Sequence, residues 1–367
     1  MKSNPSFNRK RKFGGDLLNK ENCPNFQEYK INNENNNKSL NPINKDNNQK
    51  NIICRKNSYL KNQNYSINNS YINSNISKNN PQFVDEYIED IIKYIIENES
   101  INILNYSKGN IFKLQDEKFI NEEKRKNIIE LLIYYNYKWK LNPDSVFLAI
   151  NILDRYTNKI KINKNEYELI ALASFMISSK YEDIYSPNVK ALSYIYSFKY
   201  EPEEILKKEN HILNTLNFSL LYQSSFKFLN LLYHFSNIHN ENVYYLSQLI
   251  LELSLTDLNI MKYSQKIRAI GAFLFAKKAY GINSGQYYIQ FLFSYNESEI
   301  KNLQKELFIV IKNVVFSEKQ NLIAEKFRSS KYGFIFSVFE KKLKEKAKKK
   351  KHNSSIDYKR KEIKKSK

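Results

Sequence analysis

LIALASFMISSKYEDIYSPNV, residues 169–189, is the stretch around which the rest of the chain is organised. Its first ten residues are apolar or small on every side, which predicts a helix that is buried all round. The small side chains of Ala171, Ala173 and Ser174 would let neighbouring helices approach closely. The charged residues that begin at Lys180 indicate that the helix reaches the surface there, and Pro187 prevents it from continuing.

The same pattern returns 98 residues later in the chain. The segment ALASFMIS at residues 171–178 pairs with AIGAFLFA at residues 269–276, and Lys180 pairs with Lys278. Each central helix lies between amphipathic segments, and the seven Gly and seven Pro residues are too few for a turn-rich β fold. The sequence therefore predicts an all-α protein with two tandem bundles of about five helices, joined near residues 219–224.

Apolar periodicity and helix-start signals give the approximate helix bounds. The predicted helices cover residues 122–139, a segment from Pro143, residues 163–181, a short segment after Pro187, and residues 202–216, 241–255 and 296–315. The predicted organisation is a disordered Asn- and Lys-rich tail (1–80), an N-terminal helix (81–100), a first bundle (101–219), a second bundle (220–340) and a disordered basic tail (341–367).

The formal net charge of +21 is concentrated in the two predicted tails. Residues 1–80 carry 14 Lys and Arg against 5 Asp and Glu, residues 341–367 carry 14 against 3, and the remaining net charge is +1. Because the apolar part of the chain is nearly neutral, a basic DNA-reading fold is disfavoured and a nucleic-acid partner is not expected.

Several other classes of protein are disfavoured by what the sequence lacks. The two cysteines, Cys23 and Cys54, and four scattered histidines do not form a disulfide framework or a zinc site, so no metal or other cofactor is expected. No secretory signal or membrane-length apolar run is present, which predicts a soluble intracellular protein without a membrane partner. Without a Gly-rich phosphate loop or a nucleophile beside a base, the chain is not expected to be an enzyme.

Two short motifs stand out in the N-terminal tail. A basic cluster resembles signals that nuclear import receptors read, although a solvated charge run is an equally good interpretation; it consists of Arg9, Lys10, Arg11 and Lys12. A second motif can be recognised by a ubiquitin ligase, although a tail rich in Lys and Asn makes accidental matches easier; it consists of Lys20, Glu21 and Asn22.

Four motifs between Lys124 and Leu220 carry a family resemblance. They are KRKNIIELLIYY, LAINILDRY, ALASFMISSKYEDIYSPNV and EEILKKENHILNTLNFSL, in this order. This region resembles the N-terminal cyclin box of mitotic A/B-type cyclins, most like the B type, and the similarity extends from Pro81 to about residue 340. The resemblance implies two cyclin boxes and a regulatory subunit that activates a cyclin-dependent kinase, with a role at G2/M in the nucleus and cytoplasm.

The resemblance also implies a set of kinase-binding residues. Lys180 and Glu209 match a pair that grips the mobile helix of the kinase, and both side chains are expected to be exposed. Tyr181, Phe218 and Leu220 match apolar kinase contacts. The alternatives are a solvated helix end for Lys180 and core packing for the three apolar residues.

A different pair implied by the resemblance is structural. Arg125 and Asp154 match residues that tie the first and second helices of the first box together. Such a pair is costly to break from one side, by about 3 to 5 kcal/mol when it is fully buried.

Substrate docking is expected to be absent. Many mitotic and S-phase cyclins bind Arg-x-Leu peptides through a Met-Arg-Ala-Ile-Leu run followed by Trp and Glu. The matching positions here are Lys124, Arg125, Lys126, Asn127 and Ile128, followed by Leu131 and Tyr134. Four departures bear on peptide binding: Met is replaced by Lys124, Ile by Asn127, Trp by Leu131 and Glu by Tyr134. The lost Glu and the added lysines disfavour the Arg of the peptide, and the lost apolar residues disfavour its Leu.

Two other functions remain open from the sequence. One is a transcription-type cyclin with a different kinase. The other is a basal transcription factor with two cyclin-like repeats that binds DNA, against which the near-neutral core and the missing zinc-ribbon cysteines argue. The mitotic resemblance also implies destruction through the anaphase-promoting ubiquitin ligase. No Arg-x-x-Leu sequence occurs in residues 1–80, so Lys20, Glu21 and Asn22 would act alone.

Overall fold

The helices of this protein follow the buried and amphipathic segments of its sequence. The computed structural model describes residues 87–104, 106, 112–115, 120–163, 165–236, 238, 240–284, 289–290 and 293–349. Helices and turns but no strands occur within these ranges, which confirms the all-α prediction for this part of the chain.

Two helical repeats follow the N-terminal helix α1 (Ile88–Glu97). The first repeat contains α2 (Glu122–Lys138), α3 (Pro143–Lys159), α4 (Tyr167–Glu182), α5 (Val189–Tyr194) and α6 (Pro202–Thr215). The second contains α7 (Ser225–Phe235), α8 (Glu241–Ser254), α9 (Leu258–Met261), α10 (Gln265–Ala279) and α11 (Glu297–Phe316). Helix α12 (Leu322–Phe327), a 3-10 turn (Ser330–Tyr332) and α13 (residues 335–349) come last.

The two central helices are α4 and α10, and they begin 98 residues apart, at Tyr167 and Gln265. Every residue of α4 from Leu169 to Ser179 is buried, as the sequence predicted. Gly271 shows why small residues matter in α10, because a Cβ atom there would lie 2.5 Å from Cδ2 of Leu303 on α11. Any larger side chain would therefore have to displace the buried side chain of Leu303.

Asparagine and serine side chains fix the helix starts, because each accepts a hydrogen bond from a backbone N–H in the first turn. The capping residues are Asn121 for α2, Asn142 for α3, Asn188 for α5, Ser224 for α7, Asn240 for α8, Ser264 for α10, Asn296 for α11 and Asn321 for α12. Asparagine, a common residue in this sequence, thus caps many of the described helices.

The ion pair expected in the first repeat lies between α2 and α3. Arg125 donates from Nε to Oδ1 of Asp154 at 2.9 Å and from Nη2 to Oδ2 at 2.7 Å. Both side chains are buried. The remaining Nη1 of Arg125 donates to the backbone oxygen of Leu255 in the second repeat at 2.8 Å, a contact that the sequence did not predict.

The chain returns to the first repeat after α11. Asn321, which caps α12, donates from Nδ2 to Oε1 of Glu130 on α2 at 2.8 Å. Helix α12 is also fixed to the second repeat, because Lys326 and Glu252 form a buried ion pair at 2.5 Å. The segment therefore joins α2 to α8.

The prediction of a disordered tail from residue 341 is wrong for residues 341–349, which continue helix α13. Leu343 packs against the hydrophobic core. Lys344 forms an ion pair with Glu340 at 2.6 Å, and Nζ of Lys342 lies 4.3 Å from the ring centre of Tyr280. These contacts stabilise the part of the helix that lies beyond residue 341, where the sequence analysis placed the start of the tail.

Some sequence predictions lie outside the described residues. They concern the tails at residues 1–80 and 350–367, the start of the N-terminal helix at residues 81–86, the cluster Arg9 to Lys12 and the triplet Lys20 to Asn22. None of the described helices combines the length and the apolar composition that a membrane span requires. The described ranges contain no group of three or more His, Cys, Asp or Glu residues that could hold a metal ion.

Candidate partner-binding surface

Lys180 and Glu209 meet where α4 reaches the surface. Nζ of Lys180 lies 2.7 Å from Oε1 and 2.9 Å from Oε2 of Glu209 on α6. Lys180 is the first exposed residue of α4 after a fully buried run, and its side chain is 46% exposed. The expectation that both side chains are exposed is wrong for Glu209, which is only 13% exposed because α6 packs against α4.

Two of the three predicted apolar contact residues are exposed. Tyr181 is 51% exposed and Phe218 is 62% exposed. Leu220 is half-buried and packs against the hydrophobic core. The alternative interpretation of Leu220, core packing, therefore accounts for much of its environment.

Phe218 has an unusual backbone conformation. Its φ is +53°, in the left-handed region that bulky side chains rarely adopt, and it follows Asn217 at +51°. The backbone N–H of Phe218 donates to the oxygen of Leu213 at 2.9 Å, so the end of α6 holds this conformation in place. Such a residue costs about 1 to 3 kcal/mol, and strain of this kind clusters at functional sites.

Sequence reasoning missed the two most exposed apolar side chains beside this pair. Ile184 and Tyr185 follow α4 and are 91% and 71% exposed. The sequence does indicate their exposure, because these two large apolar residues lie between a charged run and Pro187. The segment is too short to form a helix or a strand that would bury them.

Polar contacts hold the start of the loop that carries Ile184 and Tyr185. Asp183 accepts a hydrogen bond from the backbone N–H of Asn142 at 2.7 Å and another from the hydroxyl of Ser145. Glu182 forms an ion pair with Lys227 of the second repeat at 3.0 Å. The apolar side chains are therefore presented from an anchored segment.

Helix α1 adds a second exposed apolar stripe. Tyr87, Ile91 and Tyr94 share one helix face and are 53%, 46% and 52% exposed. The segment after α1 is hydrogen-bonded to the segment between α6 and α7. Asn102 donates from Nδ2 to the backbone oxygen of Leu221 at 2.7 Å.

The predicted substrate-docking positions lie on α2 and do not form an apolar floor. Asn127 is exposed and Ile128 is buried in the core, whereas the other three positions are half-buried. Those three are Lys124, Leu131 and Tyr134. Nζ of Lys138 lies 5.2 Å from the ring centre of Tyr134, so a cation is found near the position where the resemblance expected a carboxylate.

A buried carboxyl group lies at the seam beside Lys227. Burial raises the pKa of Asp144 to about 6, although the charge of Lys227 and the hydrogen bond from Ser224 lower it. Ser224 caps α7, so Asp144 connects the start of α3 to the start of the second repeat. We therefore expect the contact between the repeats to depend on pH.

Comparisons with known proteins agree with this architecture. Residues 90–221 match the cyclin N-terminal domain, and residues 224–341 match the cyclin C-terminal domain. The X-ray structure of a viral cyclin from herpesvirus saimiri has a TM-score of 0.53 at 18% identity, covering 60% of this chain and 97% of that one.

Relatives with similar sequences are G2/mitotic cyclins. The chain is 29% identical over 256 residues to a G2/mitotic-specific cyclin-A of Patella vulgata, which covers 70% of this chain and 58% of that protein. It is 28% identical over 258 residues to a G2/mitotic-specific cyclin-B of Dictyostelium discoideum, which covers 68% of this chain and 56% of that protein. The matched region thus spans somewhat more than half the length of these relatives.

The two matched domains correspond to the two helical repeats, with Ser224 at the start of the second. The boundary between the matched domains, at residues 221–224, lies within the junction that the 98-residue repeat predicted near residues 219–224. The protein belongs to the cyclin family, and its repeats are the cyclin N-terminal and C-terminal domains.

Proposed function

We propose that this chain is the regulatory subunit of a cyclin-dependent kinase that acts at G2/M. Membership of the cyclin family and similarity to G2/mitotic cyclins support the proposal. The observation that carries it is the Lys180–Glu209 pair, which lies at the end of a buried helix beside the exposed Tyr181.

The proposed role is regulatory and requires no catalytic group on this chain. A cyclin that binds one kinase conformation more tightly than the other shifts the kinase toward that conformation. In a kinase, the active conformation has the catalytic Lys–Glu pair formed. Partial burial of Glu209 and its two short contacts to Lys180 hold the ammonium group in one place before the kinase arrives.

Apolar side chains would supply most of the remaining affinity. Tyr181, Ile184 and Tyr185 are exposed in the free chain, and burying a large apolar side chain contributes about 1.5 to 3 kcal/mol. Aromatic residues at the centre of an interface are common energetic hot spots. The proposed surface combines such anchors with one charged pair.

The direct test replaces Lys180 and Glu209 by alanine in one chain. Losing charge-assisted contacts at the centre of an interface should weaken kinase binding by more than about tenfold. Binding and activation are measured by titrating the purified kinase. A double variant that folds normally and still activates the kinase at wild-type concentrations would refute the assignment.

Lys262 and Glu306 provide a matched control. They form an ion pair of 3.0 Å in the second repeat, and Lys262 is as exposed as Lys180 at 46%. The variant Lys262→Ala with Glu306→Ala removes the same charges away from the proposed surface. It should bind and activate the kinase as the wild type does.

Co-purification separates the proposed function from its alternatives. Mass spectrometry of proteins captured with the full chain should find a cell-cycle kinase. A transcription kinase would instead support a transcription-type cyclin, and a polymerase with promoter DNA would support a basal transcription factor.

We also propose that the chain occurs in the nucleus and the cytoplasm, and that its basic N-terminal cluster directs nuclear import. The cluster comprises Arg9, Lys10, Arg11 and Lys12. Replacing these residues by alanine should reduce the nuclear fraction of a fluorescently tagged chain. An unchanged distribution would show that the cluster is a solvated charge run.

A further inference from the structure

Helix α13 carries a dense set of positive charges on ordered backbone. Residues 341–349 contain six lysines and one glutamate, and all six lysines are exposed. These residues, and therefore their charge, were assigned by the sequence analysis to a disordered tail. The helix instead places the charges at defined positions on the surface.

Contacts with the second repeat fix the first half of α13. Phe336 and Phe339 are 1% and 5% exposed, so both rings lie in the core. Nη2 of Arg328 lies 2.9 Å from Oε2 of Glu340, and Leu343 packs against the core. The turns that carry the lysines therefore extend from an anchored helix.

The helical period separates the apolar and basic faces. Phe336, Phe339 and Leu343 form the apolar stripe, and the lysines at 341, 344 and 348 follow i, i+3 and i+7 spacing on the opposite face. At 1.5 Å per residue this row is about 10 Å long. Duplex DNA carries about one negative charge per 1.7 Å of its axis, so a row of this length faces several phosphates.

We propose that α13 binds the phosphate backbone of nucleic acid, without reading base sequence, through the row formed by Lys341, Lys344 and Lys348. Binding of this type depends on released counterions and needs no basic fold. The net charge of +1 on residues 81–340 argues against a DNA-reading core and does not bear on this helix. The proposal is independent of kinase binding, because it concerns a different element.

Burial of the apolar stripe favours nucleic acid over a lipid surface. An amphipathic helix that binds a membrane inserts its apolar face between the lipids. In α13 that face already packs against the protein at Phe336 and Phe339. On the exposed side of residues 341–349 lysines predominate, with Glu345 as the one acidic residue, which suits a polyanion in water.

The test measures binding of the full chain to a labelled 20-base-pair duplex by fluorescence anisotropy between about 50 and 200 mM salt. The variant has Lys341→Gln, Lys344→Gln and Lys348→Gln. Its affinity should fall by about tenfold or more, and the slope of log K against log salt should fall by about two to three. Unchanged affinity and slope would overturn the proposal.

A matched control removes three exposed lysines elsewhere, with Lys305→Gln, Lys312→Gln and Lys319→Gln. The control should bind the duplex within about twofold of the wild type, since these lysines lie on or after α11. Equal losses in the two triple variants would mean that overall charge and not α13 determines binding, which would contradict the proposal.

A third variant, Ala347→Pro, keeps every charge and interrupts the last turns of the helix. It should weaken duplex binding, because Lys348 leaves the row; undiminished binding would show that ordered presentation is unimportant and overturn the proposal. The same chain is mixed with phosphatidylserine vesicles in a flotation assay. Stronger binding to vesicles than to the duplex would assign α13 to a lipid surface instead.

Discussion

Arg125 of the first repeat donates a hydrogen bond from Nη1 to the backbone oxygen of Leu255 in the second repeat at 2.8 Å. The same guanidinium holds Asp154 through its other two donors. Tyr106 also donates to Oδ2 of Asp154 at 3.1 Å. One buried cation thus joins α2, α3 and the end of α8.

We expect Arg125→Ala to lower the free energy of unfolding by about 3 to 5 kcal/mol, because it leaves the carboxylate of Asp154 buried without its cation. Urea unfolding followed by circular dichroism measures the change. Lys180→Ala, at an exposed ion pair, should change the same quantity by less than about 1 kcal/mol. A loss at Arg125 no larger than that at Lys180 would contradict the structural role.

Phe218→Gly should raise the stability of the chain but weaken its binding to the kinase. Glycine accepts a φ of +53° without strain, so we expect the free energy of unfolding to rise by about 0.5 to 1 kcal/mol. Kinase binding should weaken by about tenfold or more, because the variant removes an exposed aromatic anchor of the proposed surface. Thermal unfolding and kinase titration give the two results.

Phe198→Gly is the control for Phe218→Gly. Phe198 has a φ of +58° and is 61% exposed, but it follows α5 and lies outside the proposed surface. Its ring contacts Tyr194, so the gain in stability should be smaller. Weaker kinase binding in this control would show that the proposed surface is drawn too narrowly.

Asp144→Asn should change how stability depends on pH. Burial raises the pKa of Asp144 to about 6 in the folded state, against about 3.9 in the unfolded chain, so the folded state binds the proton more tightly. This group therefore destabilises the fold above about pH 6, and its unfavourable effect disappears as the pH falls toward 4.

We expect the Asp144→Asn variant to be more stable than the wild type by at most about 3 kcal/mol at pH 7 and by little below pH 4. Urea unfolding at several pH values measures the difference between the two proteins, which cancels the titration of other groups. A difference that is constant from pH 4 to pH 7 would show that Asp144 does not titrate in this window.

A labelled Arg-x-Leu peptide should not bind α2. Lys124 and Lys126 repel the arginine of the peptide, and the position where the family has a carboxylate holds Tyr134. Missing apolar contacts for the leucine remove about 1.5 to 3 kcal/mol. Fluorescence polarisation measures binding to the purified kinase complex, and micromolar affinity that competes at α2 would prove the prediction wrong.

A gain of binding provides the converse test. The substituted chain carries Lys124→Met, Lys126→Ala, Asn127→Ile, Leu131→Trp and Tyr134→Glu. These changes restore the pattern that the resemblance describes except at Ile128, which stays apolar. The substituted chain should bind the Arg-x-Leu peptide but not a peptide in which alanine replaces the arginine. Failure of the folded substituted chain to bind would indicate that α2 is not the relevant helix.

Replacing Lys20, Glu21 and Asn22 by alanine should lengthen the life of the protein at mitotic exit. The proposed reason is that the anaphase-promoting ubiquitin ligase reads this triplet without help from an Arg-x-x-Leu sequence. Immunoblots of a synchronised culture measure the decay. Unchanged decay would mean that the triplet is accidental or that this cyclin is destroyed by another route.

The buried helices were predictable because burial leaves a direct trace in composition. A run of apolar and small residues without a charge, such as residues 169–179, has one stable location in a helical fold, which is the interior. The start of α4 was placed too early, at about Asn163, because periodicity does not reveal tertiary hydrogen bonds. The backbone N–H of Ile162 donates to Oε1 of Gln115 at 3.1 Å, and the helix begins only at Tyr167.

Surface features were harder to predict because they depend on the backbone and on neighbouring elements. Lys180 was visible as a charge at the end of an apolar run, whereas the partial burial of Glu209 follows from how α6 packs. The strained φ of Phe218 leaves no mark in the sequence. The apolar stripe of α13 was present, but the surrounding lysines concealed it.

The return of α12 to α2 determines when the first domain can be completed during synthesis. Arg125 and Asp154 are 29 residues apart, so their pair can form soon after both leave the ribosome. Asn321 lies 191 residues after Glu130, so its hydrogen bond closes over α2 only after the whole second repeat has been made. Domains generally fold from the N-terminus as they emerge. Part of α2 therefore waits, uncovered, for residues that the ribosome adds 191 residues later.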